Sequence, residues 1–238
     1  MPGLTLDFEA FYDTYWQDQG DTFDARRQGM LVRHVRSGDT VLHVDCGPGV
    51  LTARLAELGA SVVGTDLSSE ALRRARGRGL AVQQVNLDRE PLPFADASFS
   101  VVLSDSQIEH RVDFDHYLDE CARVLQPGGR LVMCVPNTAH WRVRWWLLRG
   151  RFPYVPNTPT DWLHLRFFTL PDLASLLARR CLALADVDGY PSLWVRGLYP
   201  AWLGRGRPAR VYELLTALRP TLFARDLILV AVKQGARE

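Results

Sequence analysis

The sequence has few of the features that mark secreted, membrane or nucleic-acid-binding proteins. Only four cysteines occur in 238 residues. Their spacing matches no metal-ligand motif, so we expect buried, reduced thiols and no metal site. No apolar run is long enough for a membrane span and no signal peptide opens the chain, which predicts a soluble, cytoplasmic protein with no membrane partner. A net charge of +1 provides no basic face, so we expect no nucleic-acid partner.

The chain does have enough apolar residues for a full hydrophobic core. Hydrophobic residues make up 47% of the sequence. No repeat, low-complexity tract or long linker divides it. A chain of this length and composition is typical of one domain with insertions, and we predict a single domain over residues 1–238.

A strand, turn, helix and second strand follow one another near residue 45. Residues 41–44 form a short apolar run, Gly47 and Gly49 flank a proline in the turn, and Asp66 ends the second run. In a βαβ unit, such a turn brings backbone amides and a helix N-terminus close to a ligand. A carboxylate after the second strand can accept hydrogen bonds from a ribose. The pattern therefore predicts a nucleotide-binding edge of a parallel sheet.

The same stretch, VLHVDCGPG, resembles motif I of the class I S-adenosylmethionine (SAM) methyltransferases, whose usual form is VLDLGCGPG. The segments LPFADASFSVVLSDSQIEH (residues 92–110) and RVLQPGGRLVMCVPN (residues 123–137) are similar to two further motifs of that family. The resemblance implies an α/β, Rossmann-like class I methyltransferase fold. In that fold a seven-stranded, mostly parallel sheet has an antiparallel last strand and helices on both faces.

The second half of the chain resembles a subgroup of these methyltransferases. PNTAHWRVRWWLLRGRFPY (residues 136–154) and HLRFFT (residues 164–169) are similar to segments of methionine-biosynthesis protein W and of small sugar and antibiotic-pathway methyltransferases. The resemblance implies a helical lid at residues 1–37, a nucleotide-binding half at 38–136, and insertions at 137–168 and 190–223. Six of the seven tryptophans lie after position 140. Their concentration indicates either a large enclosed pocket or a surface that docks a partner.

Two positions of motif I depart from the family pattern. His43 stands where the family has an acid, and Asp45 stands where it has a glycine. Asp45 adds bulk and negative charge where the methionine end of SAM would lie. Unpaired like charges about 4 Å apart in a partly desolvated cleft repel by roughly one to several kcal/mol. Because Asp66 is retained at the ribose position, we interpret the nucleotide half of the pocket as intact and the methionine half as altered.

Three sets of candidate site residues follow. The cofactor-binding candidates, if SAM is retained, are Gly47, Gly49, Asp66, Leu67, Asn86 and Leu87, with Asp88 left open as an alternative to Asn86. The substrate-binding candidates lie on the lid, after the fourth strand and in the first insertion: Tyr12, Tyr15, Trp16, Ser106, Gln107, His140, Trp141, His164 and Arg166. The catalytic candidates are Asp45, Asp105 and His110. For the lid and insertion residues the competing interpretation is packing on the core, and for His110 it is a structural hydrogen bond.

Three functions fit these residues. The first is an ordinary SAM-dependent N- or O-methyltransferase of a small molecule, with His110 or Asp105 as base. The second is a non-catalytic module whose tryptophan-rich insertions bind an accessory protein.

The third function, which we favour, keeps the fold and requires no cofactor. Asp45 takes a proton from, or holds, the ammonium group of an amine substrate that is free or tethered to a carrier protein. The amine then displaces a leaving group from a neighbouring carbon, and an enclosed cleft promotes the ring closure by holding the two ends together. This reading resembles the aziridine-forming (azabicycle) proteins of azinomycin and ficellomycin type.

Overall fold

The computed structural model describes residues 7–21 and 23–235, and in this part of the chain seven strands form one sheet. The strands are β1 (Thr40–Val44), β2 (Ser61–Asp66), β3 (Ala81–Gln84), β4 (Phe99–Asp105), β5 (Leu125–Pro136), β6 (Leu182–Tyr190) and β7 (Asp226–Lys233). The helices are α1 (Phe8–Asp18), α2 (Ala25–Val32), α3 (Val50–Glu57), α4 (Ser69–Gly77), α5 (Phe114–Val124), α6 (Trp141–Leu148), α7 (Leu170–Ala178), α8 (Gly206–Leu218) and α9 (Pro220–Phe223). Short 3-10 turns occur at Ile108–His110 and Ala201–Gly204.

The strand order is β3-β2-β1-β4-β5-β7-β6. Strands β1 to β5 pair in parallel, while β7 runs antiparallel to both β5 and β6. Helices cover both faces of the sheet, so both faces of a central strand are buried and apolar residues follow one another along it. In β4, Val101, Val102 and Leu103 are all fully buried. The predicted fold, with six strands in one direction and the last reversed, is confirmed.

Two hydrophobic clusters, one on each face, hold the helices to the sheet. On one face Leu118 of α5 and Leu173 of α7 pack with Val102. On the other, Leu31 of α2 and Leu55 of α3 pack with residues that include Val101 and Leu103. With both faces covered, the carboxyl edge of the parallel strands is left as the place for a ligand.

The lid predicted at residues 1–37 contains two helices, α1 and α2, in its described part. Asp7 caps α1, and Asp24 caps α2 by accepting hydrogen bonds from two backbone amides. The chain is not helical at residues 19–21 and 23–24, where Gly20 and the cap Asp24 favour a break. Residues 1–6 and Thr22 lie outside the described residues.

One side chain fastens the lid to the nucleotide-binding half. Asp13 on α1 accepts hydrogen bonds from Ser68 Oγ at 2.6 Å, from Ser69 Oγ at 2.7 Å and from the backbone amide of Glu70 at 3.1 Å. These groups stand at the N-terminus of α4, where free amides and the helix dipole favour a carboxylate. Asp13 therefore holds α1 over the end of β2.

The two insertions form a small cluster of their own. Val195, Leu198 and Tyr199 pack with Tyr212 of α8 and with Trp141 of α6. Four tryptophans of the insertions remain exposed: Trp145, Trp162, Trp194 and Trp202. Among the described residues, no helix combines the length and the apolar character needed to cross a membrane.

Candidate functional site

A cleft of about 300 Å³ opens at the carboxyl edge of the sheet. Asp45, Asp66 and Asp105 reach it from the ends of β1, β2 and β4, while Tyr12 and Trp16 of the lid cover it. Open α/β sheets bind their ligands at this edge because the loops that follow neighbouring strands diverge there. The lid aromatics Tyr12, Tyr15 and Trp16 line the cleft as predicted, and so do Leu67, Ser106 and Gln107.

The two glycines of motif I have different surroundings. Both adopt left-handed backbone conformations, with φ of +56° at Gly47 and +79° at Gly49. A Cβ at Gly47 would lie 2.9 Å from Trp16 Cζ2, so the lid closes directly on this turn. A Cβ at Gly49 would lie 2.4 Å from Leu80 Cδ1, so Gly49 permits close packing instead. Gly47 lines the cleft but Gly49 does not, which removes Gly49 from the predicted ligand contacts.

Asp45 forms a buried ion pair with Arg111. Its backbone adopts a left-handed conformation, with φ of +52°, which is uncommon for a residue other than glycine. Both side chains are only 8% exposed, and Arg111 Nη1 also lies 3.4 Å from Asp88 Oδ2. The guanidinium therefore joins the end of β1 to the loop after β3. This geometry corrects the expectation that Asp45 is an unpaired carboxylate free to act on a substrate.

Burial controls the ionisation of the groups around Asp45. Asp66 accepts hydrogen bonds from the backbone amides of Gly47 and Ser68, both at 2.8 Å. Burial and the charge of Asp45 nevertheless raise the pKa of Asp66 to about 7. Burial also raises the pKa of Asp45, against the lowering effect of Arg111.

His43 and Tyr12 remain uncharged beside these acids. Burial lowers the pKa of His43 to about 3, and its Nδ1 lies 2.8 Å from Thr52 Oγ1. Burial raises the pKa of Tyr12 to about 12, so its hydroxyl keeps its proton at neutral pH. His43 occupies the position of the family's motif-I acid but brings no negative charge to it.

The end of β4 supplies a second ion pair. Arg27 of α2 binds Asp105 Oδ2 at 3.2 Å through Nη2 and donates to Ser106 Oγ at 3.0 Å through Nη1. Asp105 Oδ1 is buried and has no hydrogen-bond partner among the residues that the structure describes. Asp105 therefore keeps one carboxylate oxygen for a ligand.

Glu109, His110 and His164 meet on the side of the cleft nearest the first insertion. Burial raises the pKa of Glu109 to about 8. Burial, with a smaller effect of His164, lowers the pKa of His110 to about 4. His110 and His164 line the cleft together with Glu109, while the catalytic role of His110 and the substrate contact of His164 stay predictions.

Three predicted substrate contacts lie away from the cleft. His140 is fully buried and its Nε2 lies 3.1 Å from the hydroxyl oxygens of Tyr199 and Tyr212. Trp141 donates its indole N–H to Tyr212 at 2.7 Å. Arg166 is exposed and donates to the backbone oxygen of Val112 at 2.7 Å. The predicted substrate contacts of these three residues are wrong, because each one holds an insertion in place.

The loop after β3 also differs from the prediction. Leu87 is 1% exposed and belongs to the core, and Asn86 uses its side-chain oxygen to accept from the amide of Asp88 at 3.3 Å. Neither residue lines the cleft, whereas Asp88 does. The alternative that the sequence left open, Asp88, is the residue that reaches the ligand space.

Four residues that line the cleft were not among the predicted site residues: Arg27, Glu109, Arg111 and Arg225. Glu109 could have been found, since it stands beside His110 in a segment that resembles a family motif. No local pattern marks the arginines. They reach the cleft from α2 and from loops that only the folded sheet brings together.

Comparison with known proteins shows similarity to methyltransferases. Residues 42–133 match the family model described as a methyltransferase domain. This part of the chain, which contains β2 to β4 and most of β1 and β5, is therefore similar to a methyltransferase domain. The chain is 38% identical over 111 residues to demethylmenaquinone methyltransferase of Tropheryma whipplei, an alignment that covers 46% of each protein. The matched part thus spans about half the length of that relative.

Two other relatives of the methyltransferase domain align over different lengths. A ubiquinone biosynthesis O-methyltransferase of Cereibacter sphaeroides is 29% identical, covering 77% of this chain and 74% of the relative. The 27-O-demethylrifamycin SV methyltransferase of Amycolatopsis mediterranei is 32% identical, covering 52% of this chain and 50% of the relative.

Solved structures share the methyltransferase fold at low sequence identity. A methyltransferase in complex with the Trm112 activator of Haloferax volcanii superposes with a TM-score of 0.65 and 20% identity, covering 97% of both chains. The [4+2]-cyclase SpnF superposes with a TM-score of 0.60 and 19% identity, covering 88% of this chain and 81% of that one. At these identities the similarity establishes the fold alone.

Proposed function

We propose that this methyltransferase-fold chain is an enzyme of small-molecule metabolism that does not use SAM as a methyl donor. Its reaction in this proposal is ring closure, in which an amine displaces a leaving group from a neighbouring carbon of the same substrate. The observation that carries the proposal is the buried ion pair between Asp45 and Arg111.

The ion pair stands in the path of a nucleoside. Asp66, the ribose-binding candidate, ends β2, and β2 lies between β1 and β3 in the sheet. Arg111 contacts Asp45 after β1 and Asp88 after β3, on either side of Asp66. An adenosyl group that extended from Asp66 to Asp88 would have to displace the guanidinium.

Displacing Arg111 is energetically costly. Removing one partner of a buried ion pair leaves an uncompensated charge, at a cost of about 3–5 kcal/mol. Because about 1.4 kcal/mol corresponds to a tenfold change in affinity, even the lower figure weakens nucleotide binding by about 100-fold. The pair therefore favours a substrate that leaves Arg111 in place.

The charge of the cleft favours a cationic substrate. Among the described residues that line it, six carry carboxyl groups and three carry guanidinium groups: Asp45, Asp66, Asp88, Asp105, Glu109 and Asp161 against Arg27, Arg111 and Arg225. Burial raises the pKa of Glu109 to about 8 and that of Asp66 to about 7, so these two carry less than a full charge at neutral pH, and the other four carboxyl groups still outnumber the three guanidinium groups. Such an excess attracts an ammonium group, and the aromatic lid adds cation–π contacts. Asp105 Oδ1, which has no partner in the described part of the chain, is the acceptor that we assign to the ammonium.

In the reaction that we propose, the ammonium gives a proton to Asp105 and its nitrogen lone pair forms the new C–N bond. The bond to the leaving group breaks, and that group departs with the bonding electrons. Asp45, predicted from sequence as the base, here holds Arg111 instead. The enclosed cleft accelerates the step by keeping nitrogen and carbon in a near-attack geometry.

Two relatives support the proposed chemistry and its metabolic setting. SpnF, a [4+2]-cyclase, has this fold, so ring formation occurs on a methyltransferase scaffold. The rifamycin methyltransferase places one relative in antibiotic metabolism. The proposal assigns both ring formation and a setting in antibiotic metabolism to this chain.

Ordinary methyl transfer from SAM is the second candidate. It is favoured by Asp66, which ends β2 at the ribose position of the family pattern, and by Gly47, which adds no side chain of its own to the cleft. In this case Arg111 turns away when SAM binds, and Asp105 or His110 serves as the base.

The exposed tryptophans suit an accessory protein. None of Trp145, Trp162, Trp194 and Trp202 lines the main cleft, so among the described residues the insertions build an exposed aromatic surface rather than the pocket. The structural relative bound to a Trm112 activator provides a precedent for such a partner on this fold.

Calorimetric titration with SAM and S-adenosylhomocysteine tests the first part of the proposal. We expect no binding to the wild type. We expect recovered binding in the double variant His43→Asp with Asp45→Gly, which restores the family's motif I. Glu57→Gln, on the exposed end of α3, is the control and should behave as the wild type. Micromolar binding to the wild type would establish the second candidate instead.

A panel of 2-chloroalkylamines of increasing apolar size tests the ring closure. Released chloride is measured against the rate in buffer. We expect acceleration by the wild type and its loss in Asp105→Asn. If no member of the panel closes faster with the wild type than with Asp105→Asn, the cyclase proposal fails.

A further inference from the structure

The cluster of Glu109, His110 and His164 is preorganised by the backbone. Glu109 and His110 occupy the 3-10 turn after β4, while His164 belongs to the first insertion. The backbone oxygen of Glu109 accepts hydrogen bonds from the amides of Leu165 at 2.8 Å and Arg166 at 3.0 Å. These bonds fix the insertion beside the turn, and one ligand atom of each of the three residues lies within 4.8 Å of the others.

The two histidines leave the same ring nitrogen, Nε2, available to bind a ligand. His110 Nδ1 lies 3.1 Å from the backbone oxygen of Leu163, and His164 Nδ1 lies 3.3 Å from that of Pro159. A carbonyl oxygen can only accept, so each Nδ1 carries the proton. In a neutral imidazole this leaves Nε2 with its lone pair. Metal-binding histidines are commonly oriented in this way, with the second nitrogen donating to a carbonyl or carboxylate.

The buried carboxyl group of Glu109 is a second observation, independent of the orientation of the histidines. It is only 2% exposed and lines the cleft. Neither of its carboxylate oxygens has a hydrogen-bond partner within residues 7–21 and 23–235. A buried carboxyl group without partners is costly, and the cost is removed when a cation binds both oxygens or one of them.

We propose that Glu109, His110 and His164 bind a divalent transition-metal ion of the zinc or ferrous type. Two imidazoles and one carboxylate form the ligand set of catalytic zinc sites and of mononuclear iron sites, which keep open coordination positions. In a tetrahedral site with bonds of about 2.1 Å the ligand atoms are about 3.4 Å apart, so side-chain shifts of about 1 Å close the cluster on an ion.

All three residues line the cleft, so an ion that they held would lie beside the substrate and would polarise one of its oxygen or halogen atoms. The inference does not depend on the proposed function, since either ring closure or methyl transfer could use such an ion. The site contains no cysteine, which explains why the cysteine spacing indicated no metal.

Cobalt titration of the full chain, expressed without a histidine tag and treated with chelator, tests the site. We expect one equivalent of Co²⁺ to give the visible absorption bands of a site with fewer than six ligands, and Zn²⁺ to displace it. Zn²⁺ should also raise the melting temperature.

The variants Glu109→Gln and His164→Asn should each weaken Co²⁺ binding by at least about 10-fold, since even outer-shell changes cost that much. His116→Asn, at a histidine outside the cluster, is the matched control and should bind as the wild type. Circular dichroism checks that each variant is folded, and either folded variant suffices. Absence of a saturable site in the wild type, or unchanged affinity in a folded ligand variant, would overturn the proposal.

Discussion

The ion pair between Asp45 and Arg111 should contribute strongly to the free energy of unfolding. A double-mutant cycle measures that contribution. The single changes are Asp45→Asn, which keeps the shape and tolerates the left-handed backbone, and Arg111→Met, which keeps an unbranched apolar stem but removes the guanidinium. Both native side chains are 8% exposed, so either change leaves a charge in a desolvated place.

The magnitudes follow from the contacts that survive each change. Loss of one buried partner costs about 3–5 kcal/mol. Asp45→Asn should lower the free energy of unfolding by about 3 kcal/mol, since Arg111 keeps its contact with Asp88 at 3.4 Å. Arg111→Met should cost more, about 4 kcal/mol, because it strands Asp45 beside Asp66. The double variant removes both charges, and we expect a coupling energy of about 2–3 kcal/mol.

Denaturant-induced unfolding, followed by intrinsic fluorescence at pH 7, measures the free energy of unfolding of the wild type, the two single variants and the double variant. Glu70→Gln, which removes one partner of the ion pair with the exposed Arg73 on α4, is the control and should lower the free energy of unfolding much less than either single change. If Asp45→Asn costs less than about 1 kcal/mol, or if the two changes are additive, the pair is solvated and the reasoning about the blocked nucleotide path is refuted.

Two further predictions concern Asp66 and the lid. Burial and Asp45 raise the pKa of Asp66 from its ordinary value of 3.8 to about 7, so the folded state keeps a proton that the unfolded state has lost. The contribution of this group to the free energy of unfolding is therefore complete below about pH 4 and is lost as the pH rises through about 7. The total loss is at most about 4 kcal/mol. Unfolding curves across this range should be flatter for Asp66→Asn, and an equally steep wild type and variant would contradict the assignment. Asp13→Ala removes the acceptor that joins α1 to α4 and should destabilise the protein by about 1 kcal/mol. It should also open the lid, which would shift Trp16 emission to the red and expose the segment between α1 and α2 to proteases; unchanged emission and cleavage would show that Asp13 does not hold the lid.

The part of the fold that could be predicted depends on local patterns. The short apolar runs of β1 and β4, the turn glycines and the acid at the end of β2 each specify a conformation or a position within a few residues. Parallel strands joined by helices leave few alternative topologies. The sheet order and the position of Asp66 in the cleft therefore follow from residues that are close in sequence.

The insertions were less predictable because their aromatic residues fit two environments. Trp141 and Trp162 are both aromatic residues of the first insertion, yet one packs beside Tyr212 while the other is exposed. His140 and His164 were assigned the same role, but only His164 reaches the cleft. Their surroundings depend on α8 and on the turn after β4, which are distant in the chain.

The sequence by itself determined that this is a class I methyltransferase fold with an acid, Asp45, in place of a motif glycine. Only the tertiary structure decided what that acid does, because its partner Arg111 lies 66 residues away and reaches it across the ends of the strands. The same holds for Glu109 and His164, which meet through backbone hydrogen bonds between the β4 turn and an insertion. Charge pairing over such separations has no local pattern, since it depends on which loops converge at the edge of the folded sheet.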